Sequence, residues 1–262
     1  MTYRTLTCMI ALGLVSTTPR VASAADAAYH HMHLTAPKAE EGAEWYIKHM
    51  ECQAVPGRPE RAKCGTTWFL FVAGTPSGSS VGSGVNHIGF SFRNLETKLK
   101  ALEAAGIRSE GPVRDIPNLF KIAFVYDPWG TRIELVEHVE YLGFHHVHLA
   151  SMDPAKTLAW YNSTFGGKVT KMKDRLDAVL YGTVWLLAGP SKEPLAATQK
   201  RAIDHIGFSF PNLDAAAAEI KGKGVAFETE PRPLTPPSPS AVKVSFIAGP
   251  DTVRIEVVEP PN

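Results

Sequence analysis

A chain of 262 residues, 44% of them hydrophobic, is long enough to bury a sizeable core and can hold one large domain or two small ones. Its formal charge is only +1, and no run of Lys or Arg interleaves with aromatic residues. That balance argues against a phosphate-tracking surface, so the expected partner is a small molecule and not a nucleic acid.

The first segment reads as an address. Arg4 supplies a positive start, Met9 to Val15 an apolar stretch, and Ala22-Ser23-Ala24 a small-residue end, the pattern of a secretory signal over residues 1–24. A membrane anchor needs about 20 apolar residues, and Ser16 to Arg20 break the run too early. The expected location is periplasmic or secreted, with no membrane partner after cleavage. Cys52 and Cys64 then remain around Pro56-Gly57-Arg58-Pro59, and an oxidising compartment favours a disulfide pinning that loop.

Beyond the signal the chain repeats itself. Tyr29-His30-His31-Met32-His33-Leu34 returns as Phe144-His145-His146-Val147-His148-Leu149. Val85-Asn86-His87-Ile88-Gly89-Phe90-Ser91-Phe92 returns as Ile203-Asp204-His205-Ile206-Gly207-Phe208-Ser209-Phe210. Gly65-Thr66-Thr67-Trp68 and Arg132-Ile133-Glu134 also recur, as Gly182-Thr183-Val184-Trp185 and Arg254-Ile255-Glu256. Repeats of this length mark whole structural units, so two related domains are expected, over 25–139 and 144–262. A weaker repeat inside each half, with a histidine third in both Tyr29-His30-His31 and Val85-Asn86-His87, divides each domain into two modules.

Each module reads as a strand, a helix, then further strands. The first and third modules carry Trp45-Tyr46 and Trp160-Tyr161 in their helices, read as helix-to-sheet packing. In the second module Asn94 caps a helix with Leu95, Leu99 and Leu102 on one face and Gly106 at its end; in the third, Asp153 caps and Pro154 opens the helix. Strands are expected at Thr66 to Val72, Lys121 to Tyr126, Thr131 to Val136, Val184 to Leu187, Val242 to Ile247 and Val253 to Val258. Pro231 to Ser240 reads as an extended loop.

Strand alternation puts His31 and His33 on one face and His30 on the other. The internal repeat equates His31 with His87 and His146 with His205, while Gly89 and Gly207 stand opposite His33 and His148. Glu134 and Glu256 lie between apolar residues in the last strand of each half, where a carboxylate needs a cation, a donor or water. Two triads are therefore expected, one per domain: His31, His87 and Glu134, and His146, His205 and Glu256. Such a set suits Fe, Mn, Zn, Ni or Co with open positions for a ligand. His33 and His148 are the candidate acid–base groups. Arg132 and Arg254 are candidates for holding a substrate carboxylate or enolate, or are simple ion pairs.

The apolar-x-His-apolar module starts, the Trp-Tyr helices and Asp127-Pro128-x-Gly130-x-x-Ile133-Glu134 resemble the vicinal oxygen chelate superfamily, which includes glyoxalase I, bleomycin-binding proteins and extradiol dioxygenases. The resemblance spans the mature chain. It implies an α+β fold of tandem glyoxalase-like domains, each with two paired βαβββ modules in an open cup-shaped sheet, and places the metal ligands on the six residues named above. It implies metal-dependent lyase or isomerase chemistry on a substrate chelated through neighbouring oxygens. The alternatives are an extradiol ring-cleaving dioxygenase and a non-catalytic metal- or ligand-binding protein. Glyoxalase I has a fourth protein ligand at the end of its first module, where this chain reads Trp68-Phe69-Leu70-Phe71 and Trp185-Leu186-Leu187.

Overall fold

The computed structural model describes residues 27–261; the signal sequence expected over 1–24 lies outside them. The four modules are present. The first runs β1 (Ala28–Ala36), α1 (Ala39–Met50), β2 (Gln53–Ala54), β3 (Arg61–Cys64) and β4 (Thr67–Ala73). The second runs β5 (Val85–Ser91), α2 (Leu95–Ala104), β6 (Arg114–Asp115), β7 (Lys121–Tyr126) and β8 (Arg132–Val136). After a short 3-10 turn at Val139–Tyr141 the third follows, with β9 (Gly143–Ser151), α3 (Pro154–Phe165), β10 (Lys168–Met172), β11 (Leu176–Tyr181) and β12 (Val184–Pro190). The fourth holds β13 (Ile203–Ser209), α4 (Leu213–Gly222), β14 (Phe227–Pro233), β15 (Lys243–Ala248) and β16 (Arg254–Glu259).

Local chemistry sets these boundaries. Asn94 accepts from the Thr97 amide and Asp153 from the Lys156 amide, satisfying first-turn donors that a helix leaves orphaned. Leu95, Leu99 and Leu102 are buried on one face of α2. The stretch from Pro231 departs from expectation, because its first three residues continue β14. That strand lies at the outer end of its sheet, where a proline's missing N–H breaks no ladder.

The architecture is α+β, with two eight-stranded sheets. In one the order is β14-β15-β16-β13-β1-β4-β3-β2, and in the other β10-β11-β12-β9-β5-β8-β7-β6. Each sheet therefore joins modules from opposite halves of the chain, the first with the fourth and the second with the third. β1 runs antiparallel to β13, and β5 antiparallel to β9. The sheets share one core, in which Phe69 meets Phe90 at 5.8 Å and Phe144 at 5.1 Å between ring centroids. Alternation then sorts the central strands: Met32, Leu34, Ile88 and Phe90 are buried in this core, and the intervening histidines are left to the other faces.

Cys52 and Cys64 form a disulfide with their Cα atoms 4.4 Å apart. It ties the chain just after α1 to the end of β3.

Candidate metal centres

The crossed sheets decide which residues meet. Gly207 on β13 pairs with His31 on one side and Glu256 on the other; Gly89 on β5 pairs likewise with His146 and Glu134. His33 lies opposite His205, and His87 opposite His148. The result is two groups, His31, His33, His205 and Glu256 in one sheet, and His87, Glu134, His146 and His148 in the other. Within each group one nitrogen or carboxylate oxygen per residue lies within 4.8 Å of all the rest.

This corrects the grouping expected from sequence. His31 does not join His87 and Glu134, nor does His146 join His205 and Glu256. The repeat correctly marks equivalent positions, but equivalence between modules does not say which modules share a sheet. His33 and His148, expected beside the metal as acid–base groups, fall inside the clusters themselves. Their rings lie 4.2 Å from that of His205 and 4.5 Å from that of His87.

Small residues make the room. A Cβ at Gly89 would come within 2.0 Å of His146 Cε1, and one at Gly207 within 1.9 Å of His31 Cε1. Each glycine is thus the floor on which the facing imidazole lies.

Hydrogen bonding fixes what the imidazoles offer. A neutral imidazole has one N–H and one lone pair. His87 Nδ1 faces Asn86 Oδ1 at 2.8 Å, an oxygen that also accepts from Arg132 Nη1 at 3.4 Å. That places the His87 proton on Nδ1 and turns the Nε2 lone pair toward Glu134 Oε2, 3.0 Å away. His205 repeats the arrangement, with Nδ1 on the Asp204 carboxylate and Nε2 2.7 Å from Glu256 Oε2. Each ring stands between two acceptors and as a neutral group satisfies one. A cation beside Nε2 satisfies the other.

The surrounding electrostatics agree. Burial would raise the Glu134 and Glu256 carboxyls, but the positive charge and donated protons that the clustered imidazoles supply when protonated outweigh it and hold both well below the usual carboxylate range. Burial also lowers His31, His33, His87 and His148, keeping them in the neutral form that ligates metals. His205 goes the other way: burial lowers it, yet hydrogen bonds to Asp204 and Glu256 raise it on balance. His146 Nε2, fully buried and 3.1 Å from Glu134 Oε2, has no hydrogen-bond partner among the described residues. Three imidazoles, one ionised carboxylate and an orphaned buried nitrogen fit a divalent metal.

Arg132 and Arg254 sit behind the clusters. Arg132 grips Glu110 through Nε at 2.8 Å and Nη2 at 2.6 Å, and Arg254 Nε lies 3.2 Å from Glu228. Of the two roles open to them from sequence, the ion pair is the one on view. Asn86, Asp204, His30 and His145, which hold the ligand rings, escaped the sequence reading; the one available signal was that each directly precedes a repeated histidine.

Beside the second cluster lies a cleft of about 640 Å³ bordered by His148, Leu158, Arg175, Leu187 and Gly189. It is of a size that holds a small ligand.

Comparison with known proteins places the chain. A profile of the Glyoxalase/Bleomycin resistance protein/Dioxygenase superfamily matches residues 10–135 and 143–257. The chain belongs to this superfamily, whose members commonly use a divalent metal. It is 25% identical over 210 residues to a lactoylglutathione lyase of Schizosaccharomyces pombe, covering 67% of each chain. Among solved structures, glyoxalase I from Zea mays superposes with a TM-score of 0.70 at 15% identity, over 89% of this chain and 92% of that one. A putative dioxygenase from Bacillus subtilis gives 0.62 at 14% identity, over 90% and 86%. At such identities these two structures speak for the fold alone.

Proposed function

We propose that the protein is an exported enzyme that binds two divalent metal ions and carries out glyoxalase-like isomerase or lyase chemistry on a small substrate chelated through neighbouring oxygens. The observation that carries the reading is the pair of clusters, each with three imidazoles and one carboxylate around a glycine floor. The ligands are His31, His205 and Glu256 in one site and His87, His146 and Glu134 in the other.

A bound divalent ion supplies Lewis-acid polarisation of a chelated carbonyl, which acidifies the adjacent C–H. The chain's own groups do the rest. His33 and His148, neutral through burial, take the C–H proton and return it to the neighbouring carbon, while the hydroxyl proton passes to the former carbonyl oxygen. Leu158, Leu187 and Gly189 line the cleft beside His148. Export is supported by the sequence of residues 1–24 and by the Cys52–Cys64 disulfide, since such bonds persist in oxidising compartments.

The likeness to a lactoylglutathione lyase favours isomerisation over ring cleavage. So does Tyr126, which directly precedes Asp127, while the extradiol pattern wants a tyrosine three residues before that turn. The test uses the purified protein stripped of metal and reloaded with Zn(II), Ni(II) or Fe(II). We expect close to two equivalents bound, and metal-dependent deuterium exchange at the C–H beside the carbonyl of an α-hydroxyketone. His33→Ala and His148→Ala should keep their metal and lose exchange. Rapid oxygen uptake with catechol in the Fe(II) form would instead establish ring cleavage.

A further inference from the structure

One ligand histidine is backed by a chain of imidazoles that ends in the connection between the two halves. His146 Nδ1 lies 2.8 Å from His145 Nδ1. His145 Nε2 lies 2.9 Å from His138 Nδ1. His138 Nε2 lies 3.4 Å from a carboxylate oxygen of Glu140, in the 3-10 turn that links the halves. His138, His145 and His146 are all buried, so water does not readily replace a missing link. No step of the proposed reaction uses His138, His145 or Glu140.

The row has four gaps, from Glu140 to His138, His138 to His145, His145 to His146, and His146 to Glu134. Both ends are carboxylates that only accept, and three neutral imidazoles bring three protons. One gap must go without. His146 Nε2 is the nitrogen without a partner among the described residues, which makes the last gap the empty one: His138 carries its proton on Nε2, toward the charge of Glu140, and accepts at Nδ1, so His145 donates from Nε2 and accepts at Nδ1. His146 then donates from Nδ1 and leaves Nε2 bare toward Glu134. A metal ion in that last gap completes the row.

We propose that His145, His138 and Glu140 are positioning residues that hold His146 in its Nδ1–H tautomer, so that the connection between the halves helps set one metal site. The inference rests on reading the cluster as a metal centre. The other site has a shorter version, in which His31 Nδ1 lies 2.8 Å from His30 Nδ1. Partners behind a ligating histidine typically set metal affinity by about 10- to 100-fold.

The experiment uses a His205→Ala background, in which only the His146 site should remain. Zn(II) affinity is measured by chelator competition, and ring 15N shifts report tautomers in the Zn-loaded protein. We expect protons on His146 Nδ1, His145 Nε2 and His138 Nε2. His138→Phe, which cannot accept, should weaken Zn(II) by about 10-fold or more, and His138→Gln, whose amide oxygen can accept, should recover most of it. The same His138→Phe change in a His87→Ala background should leave the other site's affinity unaltered. A His145 proton on Nδ1 in the loaded protein, or equal affinities in the Phe and Gln variants, overturns the relay while leaving the metal centre standing. Failure of the His205→Ala protein to bind Zn(II) overturns both.

Discussion

The Arg132 guanidinium is occupied on every side: Glu110 takes Nε and Nη2, Asn86 accepts from Nη1, and the Phe124 ring centroid lies 3.7 Å from its central carbon. It thereby orients Asn86, which in turn orients His87. The strongest mark of this grip is on Glu110, whose carboxyl falls from 4.5 to about 2, first because Arg132 donates to it. A carboxyl lowered in the folded state stabilises above its unfolded value and loses that contribution as pH falls toward the folded one. Glu110→Gln should therefore cost up to about 1 kcal/mol near neutral pH, the pair being partly exposed, and progressively less from pH 4.5 down to about 2. Denaturant midpoints of both proteins across that range check it, and a constant difference would contradict it. Sequence made Arg132 visible as a charged neighbour of Glu134, but not its partner, because Glu110 is brought to it only by tertiary folding.

At the scale of elements, β1 and β5 each depart from regular pairing where it matters. The register of β1 against β13 slips at His30 and again at Asp204, and that of β5 against β9 at Asn86 and at His145. An extra residue in one strand of an antiparallel pair re-aims its neighbours. Strict alternation placed His30 on the face away from His31, yet the bulge brings their Nδ1 atoms together. All four extra residues are the ones that hold a ligand ring. The helices were more legible, since the Asn94 and Asp153 caps act on amides three residues away. Their packing is only half repeated. Tyr46 on α1 donates to Asp127 Oδ2 at 2.9 Å, whereas Tyr161 on α3 meets Gly249 in place of an aspartate and its hydroxyl has no partner among the described residues. Tyr46→Phe should cost about 1–3 kcal/mol because it strips a donor from a buried carboxylate, while Tyr161→Phe removes an orphan and should be neutral or stabilising. Equal losses in thermal unfolding would argue that the two helices dock in the same way.

For the whole molecule, the internal repeat made four modules and all eight cluster residues legible from sequence, and the family resemblance supplied the α+β class. It did not give their pairing, because a strand such as β1 is compatible with either β5 or β13 as neighbour: the two share His-Ile-Gly-Phe-Ser-Phe at 87–92 and 205–210. The folded chain joins first module to fourth and second to third, so each site draws on both halves and neither half alone completes one. The most direct test of the crossed arrangement is the metal content of a His31→Ala, Glu256→Ala double variant. These residues come from opposite halves but from one cluster, so close to one equivalent of Zn(II) per chain should remain, bound by His87, Glu134 and His146. If each half held its own site, the same two changes would damage both, and a folded double variant with no bound Zn(II) would contradict the crossed arrangement.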